Sequence, residues 1–459
     1  MTGHVSADHI RARFSDALSA MYRQEVPLYA DLIAIVEEVN AATLAADAGL
    51  RDALTSSGEI ARLGAERHGA IRVGTAEELD GLRRVFAAMG MVPVGYYDLT
   101  VAGVPVHSTA FRPIDEEALR ACPFRVFTSL LRLDLIADPD LREAATAILA
   151  ARRILSARAL ELADQAAAAG GLNEAEAAEF VSEVLETFRW HAQALVDAET
   201  YQRLLASHRL IADIVSFKGP HINHLTPRTL DIDAAQAAML ARGMQAKAVI
   251  EGPPPRKVPI LLRQTSFNAL SETIRFAGDQ ADAAGAHTAR FGEIEQRGLA
   301  LSRKGRALYD ALLAQARNEA GAQDEGYAAR LAQAFTAFPD DLAQLAREGL
   351  GFFRYALTPA GEAAAGSGGV EGQIEDWIAQ GLVQPIPMTY EDFLPVSAAG
   401  IFQSNLGGEK QRVYAGNASQ AVFEAALGAP IVDPFALYES EEARARAAVT
   451  AALGGTVTA

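Results

Sequence analysis

Residues 91–136 read MVPVGYYDLTVAGVPVHSTAFRPIDEEALRACPFRVFTSLLRLDLI, and this stretch decides the fold. Three of its segments are rich in β-branched and aromatic residues: Val92 to Leu99, Val104 to Arg112 and Phe124 to Ile136. Glycine and proline separate these segments, as they commonly separate neighbouring strands. The stretch therefore predicts a sheet of at least three strands.

Helical patterns flank this stretch on both sides. Residues 8–57 and 139–213 repeat apolar side chains at helical spacing in an alanine- and glutamate-rich context. A shorter helix is predicted from Ala76 to Met89, with Thr75 as its N-cap and Glu78 completing a capping box.

A second strand-rich block follows the inserted helices. Its strand candidates are Ile214 to Phe217, Ala248 to Glu251, Val258 to Phe267 and Thr288 to Glu295. The chain is thus predicted to be an α+β protein whose sheet is built from two strand-rich halves, with helical N-terminal, inserted and C-terminal segments. The predicted divisions are residues 1–67, 68–138, 139–213, 214–300 and 301–459.

Composition excludes several classes of protein. Half of the 459 residues are apolar, which predicts a folded globular chain, and the net charge of −17 disfavours a nucleic-acid partner. The sequence has neither a membrane-length apolar run nor an apolar signal core at the N-terminus, so we expect a cytoplasmic protein that does not enter a membrane. Cys122 is the single cysteine, so any metal must be held by histidine and carboxylate. The sequence does not indicate an oligomeric state.

Three of the nine histidines stand out as functional candidates. His68 opens a glycine-containing segment after a helical pattern, where a structural helix C-cap is an equally good interpretation. His221 and His224 lie in a turn bounded by glycine and proline, a setting in which histidines are more often functional than packed.

The remaining histidines have plainer interpretations. His107 is expected within a strand, in the core or near the site, and a hydrogen-bonded core position is expected for His191. Surface positions are expected for His4, His9, His208 and His287.

Two acidic residues, Glu293 and Glu295, alternate along a segment that otherwise resembles a buried strand. They lie on the same strand face, so the pattern does not say which of them would bind a metal, and a solvated face is an equally good interpretation. Two imidazoles and one carboxylate leave three positions open on iron(II), enough for a chelating 2-oxo acid and dioxygen. Zinc favours a closed tetrahedral site.

At these residues the chain resembles known enzymes. The segments His224-Leu225-Thr226 and Glu293-Ile294-Glu295-Gln296-Arg297 resemble the metal-binding segments of 4-hydroxyphenylpyruvate dioxygenase, a vicinal-oxygen-chelate enzyme. Over most of its length the chain is similar to the 2-oxoadipate dioxygenase/decarboxylase family, also called D-2-hydroxyglutarate synthase. The family-like stretches are residues 66–74, 91–133, 216–231, 289–298 and 392–406.

The resemblance implies a vicinal-oxygen-chelate core and an Fe(2+) cofactor held by His68, His224 and Glu293. It implies conversion of 2-oxoadipate and O2 to D-2-hydroxyglutarate and CO2, within lysine catabolism. Arg72 would be the catalytic and substrate-binding arginine, and a late segment near residues 385–405 would contact the substrate. Within that segment, the residues implied to contact the substrate are Val396 and Ser397.

His221 and Glu295 are then expected to contact the metal ligands rather than the metal. The alternative function is that of a glyoxalase-like isomerase or lyase, which would use a metal as a Lewis acid without dioxygen.

Overall fold

The computed structural model describes residues 3–247, 249–278, 284–316, 326–368, 370–394 and 420–454. The chain forms two compact units. The first comprises Met1–Glu251, Gln264–Glu295 and Phe393–Val432, and the second comprises Gly252–Arg263, Gln296–Asp392 and Asp433–Ala459.

Helices account for much of both units. In the first unit the helices are α1 (Ala7–Glu25), α2 (Leu28–Ala46), α3 (Ala48–Ser56), α4 (Glu59–Leu63), α5 (Ala76–Ala88), α6 (Glu116–Ala121), α7 (Pro139–Ala151), α8 (Ala157–Ala169), α9 (Glu174–Thr187), α10 (Ala198–Ser207), α11 (Arg209–Ser216), α12 (Ile232–Ala241) and α18 (Gln420–Leu427). In the second unit they are α13 (Arg303–Ala316), α14 (Tyr327–Ala334), α15 (Leu342–Arg347), α16 (Pro359–Gly366), α17 (Ile374–Ala379) and α19 (Pro434–Leu453).

The strands form one large sheet and three pairs. Their bounds are β1 (Arg67–Val73), β2 (Val92–Asp98), β3 (Val106–Arg112), β4 (Phe124–Leu131), β5 (His224–Pro227), β6 (Leu262–Ser266), β7 (Ser271–Arg275), β8 (Ala284–Thr288), β9 (Glu293–Arg297), β10 (Phe353–Leu357) and β11 (Val383–Pro387). The five-stranded sheet has the order β2-β3-β4-β1-β5, and β6 pairs with β9, β7 with β8, and β10 with β11. In this sheet β1 runs parallel to β4 and antiparallel to β5.

The two faces of β1 have different partners. Ile71 and Val73 join Val126 and Leu130 of β4 in the hydrophobic core. Because side chains alternate along a strand, His68, Ala70 and Arg72 lie on the opposite face. One face of β1 therefore packs in the hydrophobic core, and the other face carries the polar side chains His68 and Arg72.

The helix α5 confirms the local prediction, with one difference. The Thr75 side chain accepts a hydrogen bond from the Glu78 backbone N–H at 3.2 Å, as an N-cap does. The Glu78 carboxylate accepts from the Gly74 N–H at 2.8 Å and binds the Arg152 guanidinium, at 2.7 Å from its Nε. Glu78 therefore ties the helix start to Arg152 instead of closing the capping box on Thr75.

The α+β class is confirmed, but several local predictions are wrong. Thr288 to Glu295 is not one strand, because β8 ends at Thr288 and β9 begins at Glu293. The segment Ile214 to Phe217 was expected as a strand, whereas Ile214 to Ser216 end helix α11. The four residues from Ile214 to Phe217 are too few to show a helical period, and a short buried apolar run fits a strand as well as the end of a helix. His68 lies inside β1 rather than at a helix end, since pairing with β4 and β5 decides its conformation.

Among the described residues, no helix combines the length and the apolar composition that a membrane crossing requires.

Candidate metal centre

Three predicted residues converge at one buried place. His68 on β1, His224 on β5 and Glu293 on β9 each offer a ligand atom, and these atoms lie within 4.8 Å of one another. The arrangement could hold a metal ion with two nitrogens and one carboxylate.

The strand register explains why the two histidines meet. His68 is paired with Thr226, and Ala70 with His224, so both imidazoles project from the same face of the sheet. The two rings lie 5.3 Å apart between centroids at 86°. The β1 residue next to His68 is Gly69, and a Cβ at that position would clash with Ile222 Cδ1.

Thr226 fixes the tautomer of His224. The Thr226 hydroxyl donates to Glu293 Oε1 at 3.1 Å, so its oxygen accepts from His224 Nδ1 at 2.9 Å. With the proton on Nδ1, the Nε2 lone pair of His224 is available to a metal. One hydroxyl thus orients two of the three ligands.

Glu295 lies beside Nδ1 of His68, as Thr226 lies beside Nδ1 of His224. Glu295 Oε2 lies 2.9 Å from His68 Nδ1, whereas Glu293 Oε1 lies 3.1 Å from His68 Nε2. A carboxylate beside Nδ1 favours a proton there, which would leave Nε2 to a metal ion bound next to Glu293. The two acids thus differ in their contacts: Glu293 lies with the candidate ligand atoms, whereas Glu295 lies beside the other nitrogen of His68.

The electrostatics of the three ligands differ. Burial lowers the pKa of His68, but Glu295 and Glu293 outweigh it and the pKa is raised above its usual value. Burial lowers the pKa of His224 to about 4, so this imidazole is neutral near pH 7. Burial favours the protonated form of Glu293, but His224 and His68 hold its pKa below the usual range.

The residues fit a metal ion of the iron(II) type. Glu293 Oε2 is buried and makes no hydrogen bond within the described part of the chain, which is unusual for a carboxylate oxygen unless an ion binds it. Gln264 donates to the other oxygen, Oε1, at 2.9 Å and so orients the carboxylate. Two imidazoles and one carboxylate are the set that open iron(II) sites use, and a bound ion would replace any proton on the ligating nitrogens.

Arg72 extends from the same strand face as His68. It is 1% exposed, and its Nη1 lies 2.6 Å from Asp213 Oδ2. Burial lowers the pKa of Arg72, and Asp213 opposes that shift. Val396 and Ser397, expected to contact the substrate, lie outside the described residues.

A second buried cluster lies next to Arg72. Asp213, His221 and His287 also have ligand atoms within 4.8 Å of one another. His221 lies in this cluster, not among the three candidate ligands. The surface position expected for His287 is wrong: its side chain is 3% exposed and hydrogen-bonded to Asp213 at 2.9 Å.

Sequence reasoning missed the roles of three residues around the site: Thr226, Gln264 and Asp213. Thr226 was part of the quoted segment His224-Leu225-Thr226, but no role was assigned to it. Gln264 and Asp213 lie 29 and 11 residues from the nearest ligand in sequence, and no local pattern marks either of them. The available signals were that Gln264 lies in the buried strand β6 and that Asp213 is the single acidic residue of the buried helix α11.

Comparison with known proteins agrees along nearly the whole chain. The family model for 2-oxoadipate dioxygenase/decarboxylase matches residues 14–405. A 2-oxoadipate dioxygenase/decarboxylase of Pseudomonas putida is 58% identical over 454 residues, covering 98% of this chain and 98% of the relative. That of Escherichia coli is 56% identical over 447 residues, covering 97% and 99%.

A solved structure shows the same fold. The crystal structure of hydroxyglutarate synthase from Pseudomonas putida in complex with 2-oxoadipate aligns with a TM-score of 0.90 at 54% identity, covering 98% of this chain and 99% of that one.

Proposed function

This chain belongs to the 2-oxoadipate dioxygenase/decarboxylase family, and we propose that it carries out the family's reaction at an iron(II) ion held by His68, His224 and Glu293. The main support is the environment of the two imidazoles. The Thr226 hydroxyl is hydrogen-bonded to Nδ1 of His224, and the Glu295 carboxylate lies beside Nδ1 of His68. Both arrangements favour a proton on Nδ1, which would leave the two Nε2 atoms to a metal ion bound beside the Glu293 carboxylate.

The reaction converts 2-oxoadipate and dioxygen to D-2-hydroxyglutarate and carbon dioxide. The atoms balance without a second organic substrate, because one oxygen atom enters the new carboxylate and the other enters the hydroxyl group. A bound iron(II) ion would supply the redox chemistry with dioxygen that side chains lack.

Arg72 would bind the carboxylate of the substrate that is remote from the metal. Four residues along a strand separate the Cα atoms of His68 and Arg72 by about 13 Å. Both side chains project from the same face of β1, so a dicarboxylic acid bound at the metal by one end would extend its other end along that face toward the Arg72 guanidinium. The planar guanidinium would orient the carboxylate through two parallel hydrogen bonds.

Burial of the site supports this role. His68, Arg72 and Glu293 are each 1% exposed or less, so water is largely excluded from their side chains. Phe393 covers His68, with ring centroids 5.0 Å apart, and Phe291 stacks on His224 at 4.9 Å. Charged hydrogen bonds are stronger in such an environment than in water.

Several finer expectations stay predictions. They are substrate contacts by Val396 and Ser397, a place in lysine catabolism and a cytoplasmic location.

A matched pair of variants tests the ligand assignment. His224→Ala should lose stoichiometric iron and dioxygen uptake, because an open site with three protein ligands does not tolerate the loss of one. His221→Ala should keep one iron per chain, because His221 contacts Asp213 and not a candidate ligand, and should lose at most about 10- to 100-fold in activity. An active His224→Ala variant with full iron content would contradict the assignment, and the opposite ranking would exchange the two histidines.

Arg72→Lys tests the substrate role separately. Lysine keeps the charge but loses the planar fork, so catalytic efficiency on 2-oxoadipate should fall roughly 10- to 150-fold, or about 1.5 to 3 kcal/mol. Iron content and turnover of a monocarboxylic 2-oxo acid should change little. Equal losses on both acids would instead assign Arg72 to the carboxylate nearest the metal.

A further inference from the structure

Asp213 connects Arg72 to a buried hydrogen-bonded network. Asp213 lies near the end of α11 and is 4% exposed. Its Oδ2 lies 2.6 Å from Arg72 Nη1, so one carboxylate oxygen is committed to the guanidinium. The other oxygen, Oδ1, lies 3.1 Å from His221 Nε2 and 2.9 Å from His287 Nε2.

The histidines are themselves held in place. Because His287 Nε2 faces the Asp213 carboxylate, it carries the proton, and Nδ1 accepts from the Tyr201 hydroxyl at 2.9 Å. Trp190 stacks on His287 with rings 12° from parallel and 5.9 Å apart, and meets the edge of His221 at 4.8 Å. These contacts restrict rotation of both imidazoles and therefore of the carboxylate between them.

The charge of this network favours a fixed ion pair. Burial by itself raises the pKa of Asp213, but contacts with His221, Arg72 and His287 hold it well below the usual range. Burial lowers the pKa of His221, which keeps that imidazole neutral. The network thus pairs the Asp213 carboxylate with the Arg72 guanidinium, while His287 donates a hydrogen bond to the carboxylate and the His221 imidazole lies beside it.

We propose that Asp213 is a positioning residue that holds the Arg72 guanidinium in the orientation needed for the substrate carboxylate, and that His221 and His287 hold Asp213. The proposal rests on the proposed function, in which Arg72 binds that carboxylate. An arginine side chain has several rotatable bonds, so anchoring one terminal nitrogen limits the positions that the rest of the fork can take.

The same three residues meet the geometric condition for a metal site, but Arg72 argues against one. The guanidinium already binds Asp213, and a divalent cation on the same carboxylate would be repelled at short range in a poorly screened environment. His287 also uses both ring nitrogens in hydrogen bonds. One iron per wild-type chain is therefore expected, and a second tightly bound iron or zinc that Asp213→Asn removes would overturn the positioning role.

Asp213→Asn is the main test, with steady-state kinetics on iron-loaded protein. The KM for 2-oxoadipate should rise on the order of 10- to 100-fold, because a misplaced binding group weakens orientation. Iron content and turnover of a monocarboxylic 2-oxo acid should stay at wild-type values. The control is Asp164→Asn, which removes an exposed aspartate paired with Arg84 and should leave all of these values unchanged.

The double variant separates positioning from a general structural role. If Asp213 acts through Arg72, combining Asp213→Asn with Arg72→Lys should cost scarcely more than the larger single loss. Fully additive losses would overturn the proposal. If Arg72→Lys costs nothing, the substrate role of Arg72 fails; if it is costly while Asp213→Asn is not, only the positioning role of Asp213 fails.

Tyr201→Phe decides the matter if Asp213→Asn does not fold. It removes the hydroxyl that donates to His287 and keeps the buried ring, so the fold should survive. The KM for 2-oxoadipate should rise roughly 2- to 10-fold, the effect of one lost hydrogen bond, at full iron content. An unchanged KM in a fully iron-loaded Tyr201→Phe variant would overturn the proposed network.

Discussion

Replacing Thr226 with valine should weaken iron binding without disrupting the sheet. The substitution keeps the branched shape but removes the hydroxyl that accepts from His224 Nδ1 at 2.9 Å and donates to Glu293 Oε1 at 3.1 Å. His224 is then free to place its proton on Nε2, where it blocks the metal. Gln264 still donates to Glu293 Oε1 at 2.9 Å, so orientation of the carboxylate is only partly lost.

The expected magnitude follows from these contacts. Loss of a partner that orients a metal ligand costs about 10- to 100-fold in metal affinity, which corresponds to roughly 1.4 to 2.8 kcal/mol. The measurement is an anaerobic iron(II) titration in competition with a chelator of known affinity.

Two matched variants control the Thr226 experiment. Thr226→Ser keeps the hydroxyl and should bind iron nearly as the wild type does. Thr128→Val removes another buried hydroxyl of the same sheet, but Thr128 pairs with Ile71 on the core face and its variant should bind iron normally. Wild-type affinity in Thr226→Val, or an equal loss in Thr128→Val, would refute the reasoning.

Three other perturbations follow from the structure. Glu295→Gln should lower iron affinity about 10- to 100-fold, whereas Glu293→Gln should abolish stoichiometric binding; the reverse order in an iron titration would exchange the two roles. Gly69→Ala should destabilise the fold by about 1–3 kcal/mol in denaturant unfolding through the clash with Ile222, and Ile222→Val should recover part of that loss. Burial lowers the pKa of His107 to about 4, so the fold binds fewer protons than the unfolded chain and the unfolding free energy should rise between about pH 4 and 6.5. That rise should be on the order of 3 kcal/mol, and a His107→Asn variant with the same pH dependence would count against it.

Local signals predicted some elements well. The helix after Thr75 was predictable because its cap, its acidic first turn and its apolar period all lie within one short segment. Strands β2, β3 and β4 were predictable because β-branched and aromatic residues alternate with clear turn signals. These features depend on neighbours in sequence.

Other features depend on distant partners and could not be predicted locally. His68 lies in an interior strand only because β4 and β5 pair with β1 on either side. His287 is buried because Asp213 and Tyr201 come from helices more than 70 residues away in sequence. The sequence pattern treats Glu293 and Glu295 alike, and only the fold shows that they lie beside different nitrogens of His68.

The central claim is that this chain uses dioxygen to convert 2-oxoadipate to 2-hydroxyglutarate at a single iron site. The most direct test supplies iron-reconstituted protein with 2-oxoadipate under isotopically heavy dioxygen and measures the products by mass spectrometry. We expect 2-hydroxyglutarate with one heavy oxygen in its new carboxylate and one in its hydroxyl group, together with unlabelled carbon dioxide. Product formed without dioxygen uptake, or carrying no heavy oxygen, would contradict the account and favour a metal-dependent isomerase or lyase.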